Sequence, residues 1–134
     1  MNPEKSELVN LRIANAKKTL SEVEIYHIEN QLWNTAVNRL YYACFYAVTA
    51  LLHNYDLNTK THSGVKRMFA LHFIKPGIID EKSGEFYSTL FTMRQEADYE
   101  DGIDYEKEDV LPLIPQAKEL LNRIITILSA AEGN

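Results

Sequence analysis

Arg39, Tyr42 and Tyr46 fall at offsets of three and seven within Asn38-Arg39-Leu40-Tyr41-Tyr42-Ala43-Cys44-Phe45-Tyr46, and Arg94, Asp98 and Tyr99 close the segment Arg94-Gln95-Glu96-Ala97-Asp98-Tyr99. Between them stands Thr61-His62-Ser63-Gly64. A guanidinium offers a planar fork of donors to a phosphate or carboxylate, a tyrosine offers a hydroxyl and a stacking ring, and an imidazole carries protons near neutral pH. These are the ingredients of a pocket for an anion or a nucleotide. Each arginine interrupts an apolar helical pattern, and a polar group that ends half-buried needs a partner.

Every one of these residues also has a plainer account. Arg94 and Asp98, four apart on a helix, can form an ion pair that orients the helix end. Alternatively Arg94 binds an anion, Asp98 aims it, and Tyr99 supplies a hydroxyl or a stacking ring. Arg39 with Tyr42 and Tyr46 suits core or interface packing, or, if Arg39 faces the same cleft as Arg94, a pocket for a phosphate or nucleotide. His62 opens a helix, where it can serve as a capping or inter-helix partner or as a proton carrier. Tyr99 is a poor substitute for a basic histidine, because a phenol titrates near 10 and is a donor at neutral pH.

The remaining reactive side chains read as structural. His53 and His72 share no metal-ligand spacing with His62 and are expected as satisfied, half-buried histidines. Cys44 lies on an apolar stripe and reads as an inert core thiol. The acidic run from Glu96 through Asp98, Glu100, Asp101, Asp104, Glu106 and Glu108 to Asp109 lacks the alternation of a calcium loop. It reads as a solvated loop leading into a helix start, where acids suit the dipole, or as a surface for a basic partner. Neither a metal nor a cofactor is expected.

The elements that must position these groups are all helical. Apolar residues recur at three and four, and only five glycines and four prolines interrupt the chain. A first helix is expected from about Pro3 to Tyr26 with the stripe Val9, Ile13, Ala16, Leu20 and Val23. A second, from about Asn34 to Tyr55, carries two stripes and is therefore the central helix: Val37, Leu40, Cys44, Ala47 and Leu51, then Asn38, Tyr42, Phe45, Thr49 and Leu52. Thr61 or Ser63 can cap a third, with Val65, Met68, Phe69, His72 and Phe73 on its inner face, and Lys75-Pro76-Gly77 stops it. A fourth runs from about Glu81 to Tyr99, a loop spans Glu100 to Tyr105, and a fifth begins near Asp109 with Pro112 and Pro115 in its first turn.

A chain of 134 residues suits one domain, 1–134, with its own core. The lone cysteine and a polar start point to a reducing cytoplasm, and no apolar run approaches the roughly 18 residues of a membrane span. Fourteen basic against nineteen acidic residues leave a formal charge of −5, which opposes non-specific binding to DNA and confines any nucleic-acid contact to a local pocket.

The segments Arg39-Leu40-Tyr41-Tyr42-Ala43, Thr61-His62-Ser63-Gly64-Val65, Phe69 to Phe73 and Arg94 to Tyr99, in this order and spacing, resemble the HEPN domains. The likeness is strongest to the prokaryotic branch with an Arg-x-x-Ala-Asp-Tyr segment. The resemblance implies an up-and-down bundle of about five helices that dimerises, with the polar motif near the dimer cleft, often encoded beside a minimal nucleotidyltransferase. Many members are similar to metal-independent ribonucleases that use an arginine, a short spacer and a histidine. Here Tyr99 stands where that histidine would follow Arg94, and Tyr46 where it would follow Arg39.

Three functions follow. The first is a homodimeric binding module that associates with a nucleotidyltransferase-type partner and holds a nucleotide or RNA at an Arg39/Arg94 cleft. The second is a metal-independent endoribonuclease, the toxin of a toxin–antitoxin pair, with Arg94 stabilising charge and His62 or Tyr99 replacing the usual histidine. The third is a structural dimer without a ligand.

Overall fold

Helical periodicity is realised along the chain as α1 Pro3–Glu22, α2 Trp33–Asn54, α3 His62–Phe69, α4 Glu81–Tyr99, the single turn α5 Lys107–Val110, and α6 Leu113–Glu132. The computed structural model describes residues 3–99 and 103–132, and no strand occurs among them. Glu100, Asp101 and Gly102 of the expected loop, and the side chain of Tyr99, lie outside the described residues.

The ends of these helices follow from local chemistry. α1 runs into a π-helical turn, Val23–His27, and the chain reverses through Gln31, which takes the left-handed region at φ 57°. α2 ends similarly at Asp56, φ 60°, whose carboxylate pairs with Lys5 of α1 at 2.9 Å. Thr61 caps α3, its Oγ1 accepting from the Gly64 N–H at 2.9 Å. α3 widens into a second π-helical turn, Ala70–Ile74, and Gly77 at φ 82° supplies the stop that Lys75-Pro76-Gly77 announced. Asp80 starts α4 by accepting from the Ser83 N–H at 3.1 Å and the Ser83 hydroxyl at 2.8 Å.

The C-terminal region differs from the expectation of one helix beginning near Asp109. Asp109 instead closes the separate turn α5 by accepting from the Glu106 N–H at 2.9 Å. Pro112, which has no N–H to donate, separates that turn from α6, and only Pro115 falls inside a first helical turn.

The core forms around α2, which touches α1, α3, α4, α5 and α6. Val37, Leu40, Cys44, Ala47 and Leu51 are all buried, as are Ala36, Ala43 and Ala50, whose small side chains let neighbouring backbones approach. Facing them are Val9, Ala16, Leu20 and Val23 from the first helix, Phe69 and Phe73 from the third, Phe86, Tyr87, Leu90 and Phe91 from α4, and Ala117, Leu120, Leu121, Ile124 and Leu128 from α6. Each larger apolar side chain contributes about 1.5–3 kcal/mol on burial, and this apolar packing holds the bundle. No helix among the described residues is long and apolar enough to cross a membrane.

Candidate functional site

Three elements meet at one corner of the core: the middle of α2, the first residue of α3 and the last turns of α4. Thr61 fixes where α3 begins and thereby places His62 against α2. The His62 ring stacks on Phe45 with centroids 4.4 Å apart and meets the edge of Tyr42 at 5.8 Å. Its Nδ1 lies 2.8 Å from the Tyr41 hydroxyl.

Tyr41 is wholly buried and carries the cluster inward. One side of its ring stacks on Tyr87 at 5.9 Å, and the Arg94 guanidinium sits 4.7 Å from the Tyr41 centroid and 5.9 Å from that of Phe91. A cation so placed is attracted by the ring faces. Arg94 is only 7% exposed; its Nη1 is 3.5 Å from Asp98 Oδ2, while its Nε is buried with no hydrogen-bond partner among the described residues. Asn38 of α2 approaches the same carboxylate at 3.4 Å, so Asp98 is held from two helices.

The electrostatics separate the two titratable partners. Burial pushes the Tyr41 hydroxyl up to about 12, with Tyr87 and Arg94 opposing it, so it stays protonated across the neutral range. Burial first, and then the positive charge of Arg94, push His62 below its ordinary value of 6.5, so the imidazole is neutral at pH 7. When Tyr41 donates to Nδ1 the imidazole proton sits on Nε2; when Tyr41 accepts from Nδ1–H, Nε2 is bare and can take a proton.

The structure joins Arg94, Asp98 and His62 into this cluster. Arg39 and Tyr42 form its outer wall, the Arg39 guanidinium lying 5.6 Å from the Tyr42 centroid. The Tyr42 ring meets the edge of Tyr41 at 5.3 Å, and Tyr41 carries Arg94, so Arg39 and Arg94 are linked through two rings and not by a shared contact. Tyr46 touches Tyr42 at 6.1 Å and faces a separate cavity with Arg12. Sequence reasoning missed Tyr41 as the bridge, because it falls between the two stripes of α2. It also missed the Asn38–Asp98 contact, although Asn38 stood on the same stripe as Tyr42 and Phe45.

His53 and His72 stand apart from the cluster, His53 Nδ1 lying 2.8 Å from Asn58 Oδ1. Cys44 is buried in the core, and burial pushes its thiol up to about 12. Among the described residues no three acidic, histidine or cysteine side chains converge as a metal site would require.

An all-helical bundle in which a histidine of α3 and an arginine of α4 gather against a tyrosine of the central helix defines a recognisable class. The HEPN domain family model matches residues 9–128, which include every residue of the cluster. A UPF0332 protein of Thermotoga maritima is 34% identical over 121 residues, covering 90% of this chain and 91% of its own length. Two proteins of Methanocaldococcus jannaschii, each named "Putative toxin", are similar as well. One is 38% identical over 119 residues, 89% of this chain and 80% of its own. The other is 36% identical over 124 residues, 92% and 91%. The chain belongs to the HEPN domain family.

Proposed function

We propose that this protein is a toxin-like HEPN domain, a metal-independent endoribonuclease whose working pair is His62 and Arg94. The observation that carries the reading is the 2.8 Å hydrogen bond between Tyr41 and His62 beside the Arg94 guanidinium. On this reading the histidine that follows neither arginine along the chain comes instead from α3. The naming of two relatives as toxins supports the same direction.

The chemistry needs no cofactor. With Nδ1–H donating to Tyr41, the bare Nε2 of neutral His62 accepts the proton of a ribose 2′-hydroxyl. The freed oxygen attacks the adjacent phosphorus, and the bond to the 5′ oxygen breaks to leave a cyclic phosphate. That leaving oxygen takes a proton from the imidazolium or from water. Arg94, with Arg39 at the rim, stabilises the charge that builds on the phosphorus oxygens. Tyr99 is a further candidate for contact with a base.

A second reading is favoured by the depth of Arg94, which is only 7% exposed and packs its guanidinium against the rings of Tyr41 and Phe91. Here the cluster binds a nucleotide or RNA without cleaving it, or holds a homodimer together. Family membership brings with it the expectation of a second copy and of a nucleotidyltransferase-type partner, both open to size-exclusion and co-purification tests.

The deciding experiment is incubation of the purified protein with mixed RNA in EDTA, beside His62→Ala and Arg94→Met. Cleavage by the parent chain that both variants lose is expected. An inert parent protein would remove the ribonuclease reading and leave the binding module.

A further inference from the structure

Phe45 does more than support His62, since its ring also lines a cavity of about 350 Å³ together with Arg12, Tyr46, Leu52, Asn58 and Thr59. The cavity lies where α1 and α2 meet the segment leading into α3, and its volume is within the roughly 300–1,000 Å³ of small-ligand pockets.

Its charge is uncompensated. Arg12 donates from Nη1 to the Thr49 carbonyl at 3.3 Å, but no carboxylate lies within ion-pair distance of it among the described residues, and none lines the cavity. Burial pushes the Arg12 guanidinium below its ordinary value, so its charge is partly stripped of water without a counter-ion. The neighbouring cavity of about 400 Å³ on the same helix is different, for there Lys5 is neutralised by Asp56 at 2.9 Å. Asn58 uses its oxygen on His53, leaving its amide donors toward the protein unspent, and the Tyr46 hydroxyl has no hydrogen bond to the described residues. Phe45 and Leu52 supply an apolar wall.

A forked cation, spare neutral donors and an aromatic wall suit an anion joined to a flat ring. We propose that this cavity is a subsite for one nucleoside phosphate, with Arg12 on the phosphate and the base against Phe45 and Tyr46. As the next unit of an RNA strand engaged at His62, the ligand would rest on the function proposed above; a free nucleotide carries the same chemistry and does not depend on it.

The test is titration of the full chain with AMP by calorimetry and with a labelled six-nucleotide RNA by fluorescence anisotropy. Arg12→Ala is expected to weaken binding at least tenfold, and Arg12→Lys, which keeps the charge but loses the fork, to weaken it less. RNA held more tightly than AMP assigns the site to a strand, and equal affinities assign it to a free nucleotide. Failure of the parent protein to bind either probe overturns the subsite, as does undiminished binding by folded Arg12→Ala. Should that variant not fold, undiminished binding by both Arg12→Lys and Tyr46→Phe does the same. AMP binding that depends on Arg12 in a protein that cleaves no RNA would keep the subsite and remove the ribonuclease reading. Cleavage indifferent to Arg12, with no AMP binding, would do the reverse.

Discussion

The Tyr41 hydroxyl and His62 Nδ1 are 2.8 Å apart although 21 residues separate them in the chain. This bond ties the buried centre of α2 to the first residue of α3, and its loss would leave the imidazole nitrogen unpaired in a half-buried position. Tyr41→Phe, which keeps the ring under Arg94, is expected to lower stability by about 0.5–1.5 kcal/mol in urea denaturation. A variant as stable as the parent would show that the bond contributes nothing net to the fold.

Acidification should act through His62. Its folded pKa lies below the unfolded value of 6.5, so between the two the unfolded chain binds more protons and stability rises with pH. The contribution is complete above about pH 6.5 and is lost as pH falls through the folded value. Asp80, held low first by the Ser83 hydroxyl, acts in a more acid range, below its ordinary 3.8. Denaturation curves from pH 8 to pH 5 should show the slope, His62→Asn should flatten it, and Arg94→Met should raise the His62 titration midpoint followed by NMR.

Arg94 separates the functional from the structural reading. Removing one partner of an ion pair is costly when the other charge stays buried, but Asp98 has water to fall back on, its side chain being 32% exposed. Arg94→Met should therefore stay within about 1 kcal/mol of the parent while losing RNA cleavage. If Arg94 serves only to hold the fold or a dimer, the same variant will lose stability or dimerisation instead, readable by thermal melting and light scattering.

Gly64 is closed to any side chain. A Cβ there would overlap Thr59 Oγ1 and lie 2.7 Å from Thr61 Oγ1, the atom that caps α3. Gly64→Ala is expected to cost about 1–3 kcal/mol as Thr59 and Thr61 are pushed aside. Thr61→Ala, which loses the cap alone, should cost about 1 kcal/mol, and Thr61→Ser should recover most of it.

Cys44 should be silent in the folded protein. With its thiol buried and its pKa pushed up to about 12, the thiolate is scarce at pH 8 and out of reach of reagent. Alkylation by iodoacetamide is expected only as the bundle opens, with a rate that climbs with urea; rapid labelling of native protein would contradict this burial.

Much of the architecture was legible because helices announce themselves locally. The α4 limits match the expectation of Glu81 to Tyr99, and α2 departs from Asn34 to Tyr55 by one residue at each end. The two π-helical turns were not legible, since nothing in Val23–His27 or Ala70–Ile74 distinguishes a widened turn from an ordinary one. Pro112 was readable as a first-turn residue, but its role as a separator depended on Asp109 finishing its own turn first. In the site, Arg94 and Asp98 could be paired from their spacing alone. The Tyr41–His62 bond could not, because a contact between distant segments leaves no periodic trace. Arg12 escaped notice for the same reason: its importance lies in what α2 and the 55–61 segment leave open beside it.

Tyr41 serves the interior and the site with one side chain, its ring among Tyr87 and Phe91 and its hydroxyl on His62. The tyrosine is therefore required by the packing whether or not the imidazole beside it does any chemistry. Across relatives, a tyrosine at this place would testify only to a shared interior, whereas a histidine at the head of α3 is what the proposed cleavage would require.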